Sequence, residues 1–407
     1  MPRLLQINIT ANWGSHGRIA EMLGQIALAE GWESYIAYGR WKNKSQSQLY
    51  HIGNDLDECI HALSSRIFDN QGLLSRKATT ALIRYIENIK PDIIHLHNIH
   101  GYYLNYPLLF KFLSQSKIPV VWTLHDCWPY TGHCAHYMNA HCEKWQTHCS
   151  HCPNKKAYPT SWLFDRSFRN FSDKRKAFLS VPNLTLVTVS KWMGEDLRHS
   201  FFKGHDIRQI YNGINTELFL PSKERNILTR KLGISQDKKI ILGVASNWYH
   251  KGLEDFIKLS QMISNHFHII LIGLSSHDLK SLPSNITGIA RTQSISELRS
   301  FYSAADVFFN PTWEDNFPTT TLEALACGTP AVVYATGGCP EAIIGNTGYT
   351  VKQGAICDAL QRIEYICSKG KEHYTDSCRN SVLNNFDQQV NLRQYYNIYK
   401  EKLGITE

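Results

Sequence analysis

Ten short apolar runs, separated by stretches with the three-to-four-residue spacing of amphipathic helices, follow one another along the chain, and this alternation most restricts its fold. Strands that recur after every helix form parallel sheets covered by helices. In the first half the expected strands are 4–9, 34–38, 92–97, 120–124 and 184–189; in the second they are 239–244, 267–272, 306–310, 331–334 and 349–351. The expected class is α/β, with two doubly wound, Rossmann-like domains.

The chain's 407 residues exceed the size at which one core keeps growing, which also points to two domains. Strand-like periodicity lapses over 211–238, where Pro, Asn, Gly and charged residues accumulate, so that segment is expected as a linker. The division is then 1–210, with a Cys-rich insertion at 127–160, and 239–385. A final helical segment, 386–407, has no strand after it and is expected to pack back across the junction. Hydrophobic residues at 43% and charged residues at 19% exclude a disordered chain.

The opening "MPRLLQINITANWG" lacks the apolar region of a signal peptide, and no run of eighteen apolar residues exists to make a membrane-spanning helix. A cytoplasmic protein is expected, with any membrane contact peripheral. The net charge of +8 comes without a basic arm, so nucleic acid is not an expected partner. The densest basic segment, "DRSFRNFSDKRKAF" at 165–178, reads as the solvated face of a helix.

Ligands of open α/β sheets bind beyond the carboxyl ends of the strands, where this chain is unusually polar. Gly14 and Gly17 form a turn into a helix, suited to backbone approach by an anion. His97 and Asn98 follow one strand, His125 and Asp126 another. A carboxylate can orient an imidazole, but adjacent side chains on an extended backbone diverge, so Asp126 is as well suited to capping the next segment or holding hydroxyls. In the second half Lys251 and Gly252 precede a helix, with Lys251 placed to meet a diphosphate. "NPTWEDNFPTTTLEALACGTP" brings Glu314, Asp315, a turn through Phe317 and Pro318, and a Thr-rich helix start whose Thr319 and Thr320 supply caps and N–H groups. Glu323 stands on an otherwise apolar face, where a carboxylate without a partner is costly and a ribose would supply one.

"DCWPYTGHCAHYMNAHCEKWQTHCSHCP" concentrates five of the eleven cysteines in 126–153. Cys134, Cys142, Cys149 and Cys152 offer a ligand set for tetrahedral zinc, the last two as C-x2-C before Pro. The alternatives are thiols packed unbonded against Trp128, Tyr130 and Trp145, and a His-rich loop that merely picks up metal.

These residues resemble the GT-B retaining glycosyltransferases of family 4, the group that includes bacterial colanic acid, O-antigen and capsule enzymes. Asp315 and Glu323 are similar to the family's E-x7-E pair with Asp in first place, and Glu314 stands beside it as the other candidate. "ASNWYHKG" keeps the family's Lys as Lys251 but has Ser246 where an Arg is usual, leaving Asn247 or His250 to compensate. Gly14 and Gly17 match the glycine-rich loop, and "TLHD" the HD element. The resemblance implies a cleft between two facing domains and a hexosyltransferase taking a UDP- or GDP-linked sugar to a lipid-linked saccharide at the cytoplasmic face of the inner membrane. It implies His125, Asp126 and Asp315 at the reacting sugar. The donor would lie on Gly14, Gly17, Ser246, Asn247, Lys251, Glu314, Phe317, Pro318, Thr319, Thr320 and Glu323. No cofactor is required for catalysis on this reading, and zinc would be structural. A GT-B nucleotide-sugar epimerase and a zinc nucleic-acid module are the alternatives.

Overall fold

The computed structural model describes residues 1–405. The chain divides into two compact units, Met1–Ile210 together with the chain from Leu392, and Tyr211–Asn391. The segment 211–238, expected as a linker, is built into the second unit.

In the first unit β1 (Arg3–Asn8), β2 (Glu33–Tyr38), β3 (Gln48–His51), β4 (Ile93–Leu96), β5 (Val120–Leu124), β6 (Leu184–Thr188) and β7 (Asp206–Gln209) form a parallel sheet in the order β3-β2-β1-β4-β5-β6-β7. The order reverses between β1 and β4, which opens a crevice at their carboxyl ends. Its helices are α1 (Gly14–Ala29), α2 (Asp55–Phe68), α3 (Arg76–Ile89), α4 (Tyr106–Gln115), α5 (Ser167–Phe178) and α6 (Lys191–His199). Caps are local: Asn54 accepts the Asp57 N–H to start α2, and Ser190 accepts that of Met193 to start α6.

The second unit holds α7 (Arg225–Lys231), α8 (Leu253–Met262), α9 (Ile295–Ala304), α10 (Thr319–Ala326), α11 (Ile356–Lys369) and α12 (Glu372–Asn385). Its strands are β8 (Lys239–Val244), β9 (Phe267–Ile272), β10 (Ile286–Ile289), β11 (Val307–Asn310), β12 (Ala331–Tyr334) and β13 (Gly348–Val351), paired in parallel as β10-β9-β8-β11-β12-β13. The reversal here lies between β8 and β11.

The final helix, α13 (Gln388–Leu403), enters the first unit from Leu392. Leu392, Tyr395, Tyr396, Ile398 and Tyr399 pack with Trp32, Leu4, Ile93, Val121 and Val187 in one buried cluster. The Tyr399 hydroxyl lies 2.5 Å from His95 Nδ1, so a strand histidine is satisfied from the far end of the chain.

Three strands went unforeseen: β3, β7 and β10. Each lies at a sheet edge, and none is an apolar run, as "QLYH", "DIRQ" and "ITGI" show. The basic segment 165–178 also departs from expectation, because Lys174 is buried. Its ammonium lies 3.6 Å from the Trp128 ring centre and donates to the carbonyls of Trp128, at 2.8 Å, and Thr131, at 3.1 Å. It thus ties α5 to the Cys-rich segment, which has short 3-10 turns at Trp128–Tyr130, Met138–Ala140 and Lys144–Gln146.

Candidate active site

In the first unit, polar side chains gather where β1, β4 and β5 end. After β1 the chain turns through Asn12, at φ 49°, and Gly14, at φ 67°, into α1. Gly17 is fixed by packing, since a Cβ there would lie 2.5 Å from Thr10 Oγ1. The first turn of α1 has no side-chain cap and no acidic residue, a helix start of the kind that suits an anion. Gly14 thus opens α1, whereas Gly17, expected in the turn, lies inside the helix; beside them stands a residue that motif reading passed over. His16 holds Asn8 Oδ1 at 3.1 Å through Nδ1, and its ring centre lies 5.9 Å from that of His125.

His125 belongs to a relay. Gln6 donates its amide to Ala20 O at 2.7 Å and turns Oε1 toward His97 Nε2 at 3.0 Å, while His97 Nδ1 faces His125 Nε2 at 3.2 Å. Burial, then neighbouring His95 and His16, hold His97 well below its usual pKa; burial, then His97 and His16, do the same for His125. Burial first, then His100, bring His16 down to about 4. With these rings neutral, His97 donates from Nε2 to Gln6, so its Nδ1 accepts the Nε2–H of His125. The acceptor nitrogen of His125 is then Nδ1.

Asp126 does not orient His125. It faces His100, with Oδ2 2.7 Å from Nε2, and its Oδ1 accepts the Trp128 N–H at 3.0 Å. The divergence of adjacent side chains prevails, and the carboxylate caps the following 3-10 turn. Burial pushes the Asp126 pKa up, but the charge and hydrogen bond of His100 outweigh it and hold it at about 2. His100 also reaches the Tyr158 hydroxyl at 3.1 Å. No sequence signal marked His100, because its partner is 26 residues away on the neighbouring strand's end.

In the second unit the corresponding edge carries paired charges. Lys251 donates to Glu314 O and to Asp315 Oδ2, both at 2.7 Å. Burial lowers its pKa, but Asp315 outweighs that and raises it. Gly252, at φ 82°, starts α8 with no room for a Cβ, which would collide with the carbonyl oxygen of Pro311. Glu314 turns away from Asp315 and puts Oε2 3.0 Å from His250 Nδ1, leaving Oε1 buried and unpartnered. The two acids thus face different basic side chains. Ser246 and Asn247 lie after β8, both exposed, with Asn247 Oδ1 accepting the Tyr249 N–H at 2.9 Å.

The N-cap of α10 is Pro318, without a side-chain cap, so Thr319 and Thr320 are helical residues rather than caps. The first-turn N–H groups are left available to an anion. Phe317 is buried against Tyr211, with ring centres 4.9 Å apart, and is a packing residue here. Glu323, one turn into α10, is partnered: Tyr302 donates its hydroxyl to Oε2 at 2.7 Å. That bond removes the cost inferred from an isolated carboxylate and fixes the acid's orientation.

Two family models together match nearly the whole chain. The Glycosyltransferase Family 4 model matches residues 17–218, and the Glycosyl transferases group 1 model residues 224–380. The chain is 25% identical over 380 residues to WcaC of Escherichia coli (strain K12), provisionally named a colanic acid biosynthesis glycosyl transferase; this covers 88% of the chain and 89% of that protein. It is 30% identical over 167 residues, 39% of the chain and 44% of the relative, to the N,N'-diacetylbacillosaminyl-diphospho-undecaprenol alpha-1,3-N-acetylgalactosaminyltransferase of Campylobacter jejuni. Among solved structures, Anabaena Alr3699/HepE in complex with UDP superposes with a TM-score of 0.66 at 13% identity, covering 98% of this chain and 100% of that one.

Proposed function

The chain is a glycosyltransferase of family 4 with the GT-B fold, carrying a group 1 domain in its second unit; from that premise we propose that it moves a hexosyl group, with retention, from a nucleotide sugar to a lipid-linked saccharide of a surface polysaccharide. The observation that carries this reading is the second unit's strand-end set: an ammonium, the uncapped start of α10 and the oriented carboxylate of Glu323. In this reading Glu323 accepts hydroxyls of the nucleotide ribose. Lys251 and the N–H groups of α10 hold the diphosphate as negative charge grows on it, the role in which preorganised donors contribute most. The bond from the anomeric carbon to the diphosphate breaks, the acceptor oxygen attaches to the same face, and its proton passes to the leaving phosphate. His125, neutral and held by His97 through Nε2, faces the sugar in this reading.

Lys251 is already paired, so an arriving diphosphate competes with Asp315 for it. Asp315 is thereby a built-in occupant of the phosphate position, released toward the sugar when the donor binds.

Thermal unfolding against a panel of UDP-, GDP- and ADP-sugars tests the reading. One nucleotide is expected to stabilise the protein by about 3 kcal/mol at a hundredfold excess over its dissociation constant; silence across the panel sinks it. Glu323→Ala is expected to erase the response, and an intact response would move the ribose contact elsewhere.

The lipid-linked acceptor draws support from the Campylobacter jejuni relative, whose name carries a diphospho-undecaprenol, and from the first unit's surface. Phe68 at the end of α2 and Trp162, Leu163, Phe164 and Phe168 are exposed, with Phe68 stacked on Phe164 at 5.6 Å and Arg66 5.7 Å from the centre of the Trp162 ring. Apolar rings with adjoining arginines suit an anionic bilayer surface. Cosedimentation with vesicles containing phosphatidylglycerol is expected to fall when Trp162 and Phe164 are changed to Ser. Equal binding by the variant would rule this surface out as the membrane contact.

A further inference from the structure

The Cys-rich segment gathers its donors around one small cavity. Cys134, Cys142, Cys149 and Cys152 line a space of about 20 Å³, which has room for roughly one water-sized particle. His133 lines it too. This histidine is 2% exposed, its Nδ1 lies 2.6 Å from Asp69 Oδ1, and its Nε2 is buried without a hydrogen-bond partner. A carboxylate behind one ring nitrogen, with the other facing a set of thiols, is the arrangement found behind metal-ligating histidines.

Asp69 is itself held firmly. It closes α2 in the left-handed conformation, its Oδ2 accepts the Arg166 N–H at 2.8 Å, and its carbonyl accepts Asn170 Nδ2 at 2.7 Å. A backbone donor serves the thiols as well: Gly132 N–H reaches Cys149 Sγ at 3.1 Å. Any Cβ on Gly132 would lie 2.6 Å from Cys149 Cβ, so this approach needs glycine. The buried Lys174 side chain, bound to the carbonyls of Trp128 and Thr131, pins the start of the segment to α5.

We propose that this cavity binds one structural zinc ion in four-coordinate geometry, on the thiolates of Cys134, Cys149 and Cys152, with Cys142 or His133 Nε2 as the fourth ligand. Each ligating thiol gives up its proton to solvent as the ion binds. Among the described residues no group of three or more His, Cys, Asp or Glu side chains is already converged on a metal position, so the ion would draw in donors that the fold has only gathered. Metal then braces a segment that has three short turns and no long helix or strand between β5 and α5.

The test uses the whole chain. Protein purified without added metal and passed through gel filtration is expected to carry about one zinc per chain. Chelated protein reloaded with cobalt(II) should show thiolate-to-cobalt charge-transfer absorption. Cys149→Ser should lose the metal, whereas Cys357→Ser, at an exposed cysteine outside the cavity, should keep it. Loss of metal in His133→Gln assigns the fourth position to His133, and loss in Cys142→Ser assigns it to Cys142. Less than about half an equivalent of zinc in the unaltered protein, a Cys134–Cys152 disulfide in its peptide map, or equal metal in Cys149→Ser would each overturn the proposal. The zinc content and peptide map of the unaltered protein decide the matter even where a variant fails to fold.

Discussion

The two units share a plan and differ in their electrostatics. Each places its polar residues where the strand order reverses, at β1 and β4 in one and at β8 and β11 in the other. In the first, the residues brought together are mainly imidazoles that burial keeps neutral, linked into a chain from Gln6 to His125. In the second they are acids set against basic side chains, an ion pair of Lys251 with Asp315 and a contact of His250 with Glu314. The same kind of crevice thus carries neutral imidazoles in one unit and a paired lysine in the other. A fold fixes where a site lies; the side chains at the strand ends decide what it holds.

The comparison breaks most readily at Lys251. If the second unit's charges serve the leaving diphosphate, Lys251→Ala is expected to cut turnover by about a hundred- to a thousandfold while the unfolding midpoint of the first unit stays in place. Turnover near that of the unaltered enzyme would make the pair a structural one.

Acid sharpens it next. A histidine whose folded pKa is depressed binds more protons when unfolded, so its stabilising contribution is present above about pH 6.5 and is lost as pH falls toward the folded value. His61, fully buried and lowered to about 4 by burial, would alone withdraw about 3 kcal/mol over that window. His16 is lowered to a similar value, and His95, His97 and His125 are lowered as well. Amide exchange between pH 6.5 and 4, corrected for its intrinsic pH dependence, is expected to quicken in β1, β4 and β5 before β8 and β11. Earlier loosening of the second unit would refute the assignment.

How much of this was legible in the sequence follows from where the information sits. Strands β8, β9 and β12 were readable to their ends because central parallel strands, buried on both faces, are nearly continuous apolar runs. Edge strands β3, β7 and β10 carry no such run. Among the candidate residues, Lys251, Asp315, Glu323 and His125 are marked in the sequence by their places after strands or near helix starts. Tyr302, the partner of Glu323, and His100, the partner of Asp126, carry no such mark, and although His97 does, its pairing with His125 depends on which strands lie side by side. Local spacing also misassigned Thr319 and Thr320 by one position, because Pro318 takes the cap. For the cysteines, spacing named four thiols but could not reach His133, whose orienting carboxylate is 64 residues away.

The return of α13 to the first unit bears on how the protein is made. Trp32, Ile93 and Val121 are covered in part by Tyr395, Tyr396 and Tyr399, which emerge from the ribosome only after the whole of Tyr211–Asn391. Domains fold as units in the order of their synthesis, yet the first unit here is finished last. During translation its sheet must wait with an apolar face bare, and the nascent chain is then a client for chaperones until its own final helix closes it.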